Sequence, residues 1–385
     1  MKDKVASSTQ LMTDFTVSTG LLPARDDPDR YLWTDAFGLC NFLGLYLKTG
    51  NREFLDLALR LIGQVHSTLG RYRKDDPRTG WISGLDDRES SLHPTAGGLR
   101  IGKKLRERKA TEPLDERLEW DRDGQYFHYL TKWMLALDRT AHVTGDPVYN
   151  RWAMELARAA HRHFVYSPSP RAEKRMYWKM STDLSRPLVK SMGLHDPLDG
   201  MMTYIQLAAT ARQMGVEEGL EAETADMEDM CRGRDWATDD PLAIGSLLSD
   251  AFRAAHLVIQ GYFAGSELVL LLLDASLRSL EAFDVSSTRL PAIHRLAFRE
   301  LGLSIGLHAI ESLDRLAAGN RHLSSGQHFV DKAIGLLRDY EWLSDDIEGF
   351  WLQPENQRAP SWMEHRNINI VMLATSILPA GFLGG

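Results

Sequence analysis

The chain is 385 residues long, with 43% hydrophobic and 25% charged residues, the proportions of a globular protein with ample material for a core. Its 45 Lys and Arg face 53 Asp and Glu, and the formal charge of −8 argues against a nucleic-acid groove or an anionic membrane surface as the main partner. The two cysteines, Cys40 and Cys231, exclude a disulfide framework and an all-cysteine zinc site and read as reduced core thiols.

Residues 1–29 lack the apolar run and small-residue cleavage site of a secretory leader, so they read as an N-terminal extension and the expected location is the cytoplasm. From 31 to 47 apolar residues fall on every side of a helix, among them Leu32, Phe37, Leu39, Phe42 and Leu45, which predicts a fully buried helix. It stops at Thr49-Gly50-Asn51, with Gly as C-cap and Asn as the next N-cap. The following helix is amphipathic: Phe54, Ala58, Leu61 and Val65 form one stripe, and Arg52, Glu53, Asp56 and Arg60 face water. Residues 71–122 fit no helix pair and read as a long inserted loop, a length that commonly serves function. Within it, 84–88 and His93-Pro94 are expected to form a lid over a pocket, and the charge run 103–109 reads as a solvated face rather than a phosphate site.

The same grammar returns from 126 to 143, again aromatic and apolar, and breaks at Thr144-Gly145-Asp146-Pro147 with Pro suited to the first helical position. Val148, Trp152, Leu156 and Ala159 then line one face of a half-exposed helix. Weaker copies follow: 199–214 before an acidic helix at 216–231, 241–259 before 266–283, 291–318 before 327–342, and a last apolar helix at 367–378 with no partner after it. The densest apolar stretch, 268–273, is far short of the roughly 20 residues that span a bilayer, so no membrane partner is expected.

Buried and half-buried helices alternate, and no hairpin signals for strands accompany them. The expected fold is therefore all-α: an (α/α)6 barrel of inner and outer helices, a single toroid domain over 30–385. Five pairs plus one helix leave the last outer helix missing, or its place covered by residues 1–29. A bare strip there would suit a homodimer contact. A linear solenoid is the competing arrangement, and long, non-repeating connections favour the closed ring.

The Thr-Gly-Asn and Thr-Gly-Asp helix pairs with aromatic-rich inner helices resemble the (α/α)6 toroid of the six-hairpin glycosidase-like superfamily over nearly the whole chain. That resemblance implies a pocket at the end of the ring where the inner helices begin. Helix N-termini there would also present free N–H groups and positive dipole ends together. Polar and aromatic residues collect at these positions. They are Trp33 and Asp35 at the first helix, and Trp120, Asp121, Arg122, Asp123, Gln125 and His128 at the second. His195, Asp196 and Asp199 stand at the third, Trp236, Asp239 and Asp240 at the fourth, and Arg299 within the fifth. Trp362, Glu364, His365 and Arg366 stand at the sixth. N-capping accounts for any one of these aspartates, whereas Trp faces that stack on sugar rings, with carboxylates and guanidinium groups for hydroxyls, suit a carbohydrate mouth.

The expected function is a carbohydrate-active enzyme, a glycoside hydrolase acting on a small-molecule or oligosaccharide substrate. Inverting hydrolysis needs an acid and a base roughly 6.5–9.5 Å apart, and Asp121 or Asp123 facing Glu364 or Asp199 are the candidates. The alternative is a sugar epimerase or isomerase, resembling the acylglucosamine and cellobiose epimerases, with His195 and His365 moving a proton and Arg299 or Arg366 polarising a carbonyl. A third reading is a non-catalytic glycan- or protein-binding toroid whose mouth is plugged by Trp120, Trp236 and Trp362. No nucleotide-binding glycine motif, nucleophile elbow or metal motif occurs, and no metal or organic cofactor is expected.

Overall fold

A computed structural model describes residues 2–169, 172–216, 219–319 and 327–384. Among the described residues, thirteen helices have ten or more residues. In chain order these are α1 Lys2–Ser18, α2 Leu32–Thr49, α3 Arg52–Leu69, α4 Phe127–Thr144, α5 Pro147–Phe164, α6 Asp196–Gln213 and α7 Glu221–Cys231. They continue with α8 Pro241–Ile259, α9 Ser266–Ala282, α10 Ala297–Gly319, α11 Gln327–Arg338, α12 Trp342–Trp351 and α13 Arg366–Ile377. Short strands are β1 Gln125–Tyr126, β2 Val165–Tyr166, β3 Arg175–Met176, β4 Lys179–Met180 and β5 Pro187–Val189.

The helix-pair grammar is realised atom by atom. Gly50 closes α2 in the left-handed region at φ 70°, its N–H donating to the Tyr46 carbonyl, and the Asn51 side chain accepts from the Glu53 N–H to open α3. Gly145 does the same for α4 at φ 71°, and Asp146 caps α5 with Pro147 at its first position. Fourteen of the eighteen residues of α2 are buried but only seven of eighteen in α3, which is the inner and outer alternation read from the pattern.

The contacts divide into two compact units, residues 16–46 with 50–232 and residues 1–15 with 47–49 and 233–385. In the first, α4 packs on α5 and on α6, and α6 on α7. The small strands are an addition that the sequence pattern does not announce. β1, β4 and β5 pair antiparallel, with Tyr126 opposite Lys179 and Lys179 opposite Val189, and β2 pairs with β3. Residues 71–122 carry two short helices, Asp87–Leu92 and Glu116–Asp121, and are otherwise irregular. Of the two stretches expected to form a lid, 84–88 is exposed with Asp87 held by Arg71 and Trp81, and His93 is docked on α5: its Nδ1 lies 2.7 Å from Glu155, which also accepts from the Thr95 hydroxyl at 2.6 Å.

In the second unit α8 packs on α9 and, very closely, on α10. A Cβ placed on Gly245 would lie 1.9 Å from the Gly302 carbonyl oxygen, so the two backbones meet where glycine permits it. By length and composition α8 could cross a membrane, but 67% of that apolar stretch is buried within the protein. Residues 2–18, read as part of an extension, form a helix with Leu11, Met12 and Phe15 buried. Lys4 ion-pairs with Glu348 on α12 at 3.1 Å, and Asp14 lies 3.7 Å from Arg366 on α13.

Two predicted helices differ. The one expected from 291 begins at Ala297, after 3-10 turns at Val285–Arg289 and Ala292–His294, because Pro291 starts a turn there rather than the helix. The one expected over 327–342 ends at Arg338, and α12 follows as a separate helix. Asn320, expected at a helix break, and Glu217 and Glu218, expected in the acidic helix, lie outside the described residues.

Candidate active site

In the unit of residues 16–46 and 50–232 the N-terminal turns of α2, α4 and α6 supply one cluster of aromatic and titratable side chains. His128, on the first turn of α4, is its centre. Tyr126 stacks on the imidazole at 5.4 Å between centroids, and Trp178 lies nearly parallel to it at 6.1 Å. Trp33 and Tyr129 meet it edge-on at 6.0 and 4.8 Å. The Tyr31 hydroxyl is 2.7 Å from that of Tyr129. β1 and β4 hold Tyr126 and Trp178 in place: the wholly buried Lys179 donates to the Glu119 carboxylate at 2.9 Å and to the Arg122 carbonyl at 2.7 Å.

Below the rings lie two buried carboxyl groups on one turn of α6. Asp199 accepts from Lys132 Nζ at 2.8 Å and from the Thr131 hydroxyl at 2.5 Å. Asp196 has no such cation. Its Oδ1 stands 3.9 Å from His128 Nδ1, and its Oδ2 and that Nδ1 are both buried without a hydrogen-bond partner of good geometry. Burial, and next the charge of Asp199, push the Asp196 carboxyl up to about 7, against the weaker pull of the Gly193 N–H and Lys132. Burial, with Lys132 adding to it, lowers His128 to about 4, so its imidazole is neutral at pH 7. A proton-holding carboxyl, a neutral imidazole and an ion-paired carboxylate thus lie together under an aromatic wall.

The predicted residues separate accordingly. Trp33, His128, Asp196 and Asp199 are in the cluster, and half-buried His195 is the N-cap of α6. Asp123 lies apart from them, with its carboxylate already bonded. It is completely buried, with Oδ2 accepting from Arg100 at 3.0 Å and Oδ1 from the N–H groups of Gly102 and Gly124, which leaves little for a substrate. Gln125 is likewise spent, bonding the backbone of Gly97, Leu99 and Thr182. Arg122 pairs with Glu112 at 2.6 Å, Asp121 is exposed at the end of a short helix, and Trp120 is exposed with its edge against Trp178. Asp35 is buried against Arg30 at 3.1 Å and accepts from the Tyr31 N–H, stapling the first turn of α2.

The other predicted positions are in the second unit. Trp236 and Trp362 are core residues, the latter stacked on Trp351 at 5.5 Å. Asp240 caps α8 and ion-pairs with Arg299, while Asp239 and Glu364 are exposed. His365 meets Phe298 edge-on at 5.4 Å, and Arg366 faces Asp14. The pattern does not reach Tyr129, Lys132 and Trp178. A lysine on the buried face of α4 is the signal for Lys132; Trp178 has none, since it lies between two strands of only two residues each. Among the described residues no group of three His, Cys, Asp or Glu side chains is arranged to hold a metal.

No protein-family model matches the chain, and no curated protein matches it in sequence. Solved structures similar to it include a GH76 alpha-mannanase of Bacteroides thetaiotaomicron, with a TM-score of 0.52 and 10% identity over 92% of this chain and 88% of that one. A cellobiose 2-epimerase of Bacillus thermoamylovorans gives a TM-score of 0.50 and 10% identity over 97% of this chain and 99% of that one. The likeness is one of fold: the chain shares their (α/α)6 toroid architecture.

Proposed function

We propose that the protein is a carbohydrate-active enzyme, a glycoside hydrolase whose sugar rests against Trp33, Tyr126 and Trp178. The observation that carries this reading is the pair Asp196 and Asp199. Two carboxyl groups on one buried helical turn have opposite surroundings, one with a cation and one without. Such pairs divide the work of acid and base. Asp196 holds its proton near neutral pH and donates it to the leaving oxygen, and Asp199 carries the negative charge opposite the developing oxocarbenium ion. The fold is shared with an alpha-mannanase and a cellobiose epimerase, so α-mannosides and cellobiose are the first substrates to try.

A second reading is favoured by His128. A neutral imidazole with an unpartnered Nδ1 on an aromatic wall can accept a proton beside a carbonyl, which is epimerase chemistry. One experiment decides. Wild type, Asp196→Asn and His128→Gln are incubated with α-mannobiose and cellobiose, and the products are resolved by NMR. Hydrolysis, lost about 100-fold or more in Asp196→Asn, supports the first reading. Epimerised disaccharide, lost in His128→Gln, replaces it with the second. Unchanged turnover in both variants refutes this site.

A further inference from the structure

A cleft of about 710 Å³ lies among residues 25–30, 64–75 and 100–104, outside the aromatic cluster. Eight cationic and four acidic side chains line it, and most of that charge is already matched. Arg30 pairs with Asp35 at 3.1 Å, Arg100 with Asp123 at 3.0 Å, and Arg71 with Asp87 at 2.5 Å. Arg73 pairs with Asp75 at 2.8 Å and Lys74 with Asp27 at 2.9 Å. Arg25 spends its guanidinium on the carbonyls of Val17 and Ser18.

Two lysines remain, Lys103 and Lys104, and of these Lys104 is exposed to solvent while Lys103 is not. It is half-buried, and its Nζ makes no hydrogen bond or ion pair among the described residues, standing 5.3 Å from the centre of the Tyr31 ring. The loop that carries it is held by Arg73, which donates to the carbonyls of Lys103 and Lys104. Tyr31 in turn meets Tyr129 of the aromatic cluster. Two rings, Tyr31 and Tyr129, therefore lie between the ammonium group and Trp33 and Tyr126 of the proposed sugar site. Burial lowers Lys103 below the usual lysine range, and Asp121 and Asp123 only partly offset this. A half-buried cation in that state gains more from an arriving anion than a solvated one does.

We propose that this cleft is a subsite for an anionic group on the sugar, a carboxylate or a phosphate, and that Lys103 reads its charge. The inference rests on the reading that the aromatic cluster holds a sugar. A neutral sugar would leave Lys103 as it stands; a uronic acid or a sugar phosphate would give it a counter-ion.

The test is calorimetric titration of wild type, Lys103→Met and Lys103→Arg with D-glucuronate, D-mannose 6-phosphate, their neutral parents D-glucose and D-mannose, and inorganic phosphate. At least one acidic sugar is expected to bind tenfold or more tightly than its parent. That preference should vanish in Lys103→Met and survive in Lys103→Arg, and the acid preferred distinguishes carboxylate from phosphate. Equal binding of acidic and neutral sugars, or a preference that survives Lys103→Met, overturns the anionic subsite and leaves the sugar site standing. Phosphate bound through Lys103 with no sugar bound does the reverse. No binding of any of the five overturns both.

Discussion

Replacing Asp196 with Asn should abolish turnover and at the same time stabilise the fold at alkaline pH. Asp196 is buried, lacks a cation, and its carboxyl is pushed from 3.8 to about 7. The folded chain therefore holds a proton that the unfolded chain has already lost between those two values. Stability falls as pH rises through that window, and the whole loss is present above about pH 7. The gap is worth at most about 4 kcal/mol, at 1.36 kcal/mol for each tenfold step. Asn keeps the shape and removes the charge. Its variant should match wild type below pH 4 and become progressively more stable above it. With an unfolding entropy of about 2.1 cal/mol/K per residue over 385 residues, the full difference corresponds to a Tm rise of about 5 °C at pH 8. Thermal denaturation of both proteins from pH 4 to pH 8.5 measures it. A difference that does not change with pH, or a variant less stable at every pH, would refute the reasoning that Asp196 is an uncompensated buried acid. Stability surrendered at one carboxyl is the usual mark of a site kept for chemistry.

Other consequences are as definite. Lys132→Met strands the Asp199 carboxylate in the interior and should cost about 3–5 kcal/mol in urea denaturation, part of which Asp199→Asn in the same chain should restore. Asp123→Asn breaks the buried pair with Arg100 and should lower stability by a similar amount while leaving turnover per folded molecule within a few-fold; a loss beyond 100-fold would return Asp123 to the catalytic list. Gly245→Ala forces the α8 and α10 backbones apart and should destabilise by about 1–3 kcal/mol or more, read from the urea midpoint. Burial lowers His66 from 6.5 to about 3, and its Nε2 accepts from the Trp133 indole N–H. The unfolded chain takes up that proton first, so stability is complete above pH 6.5 and falls below it. By pH 5 the loss is about 2 kcal/mol, and a His66→Gln chain should show a flatter acid limb.

Local chemistry made much of this protein legible in one dimension. The Gly50-Asn51 and Gly145-Asp146 turns, the buried stripes of α2 and α4, and the start of α8 at Pro241 all follow from capping and periodicity, because those effects act within one or two turns of chain. Helix α1 escaped the same reading because its apolar stripe is thin: Leu11, Met12 and Phe15 among serines and threonines. The groups it ion-pairs with, Glu348 on α12 and Arg366 on α13, lie more than 300 residues away in the chain.

The candidate site was legible in part and for the same reason. Asp196, Asp199, His128 and Trp33 were found because they sit at helix starts, and a helix start is a local feature. Asp121 and Asp123 sit near one too, but nothing in their spacing distinguishes a carboxylate that meets a substrate from one that meets Arg100. That distinction depends on what packs beside the group, which is a matter of distant chain. The same holds for Trp178 and Lys179, brought under Tyr126 by pairing of β1 with β4, and for Lys103, which reads as one charge in a solvated run until Tyr31 is seen beside it. Composition and periodicity determined by themselves that the chain folds as paired helices with polar groups at their ends. Only the tertiary structure decided which of those groups keep a partner and which are buried without one, because desolvation and pairing are properties of the neighbours in space and not of the neighbours in sequence.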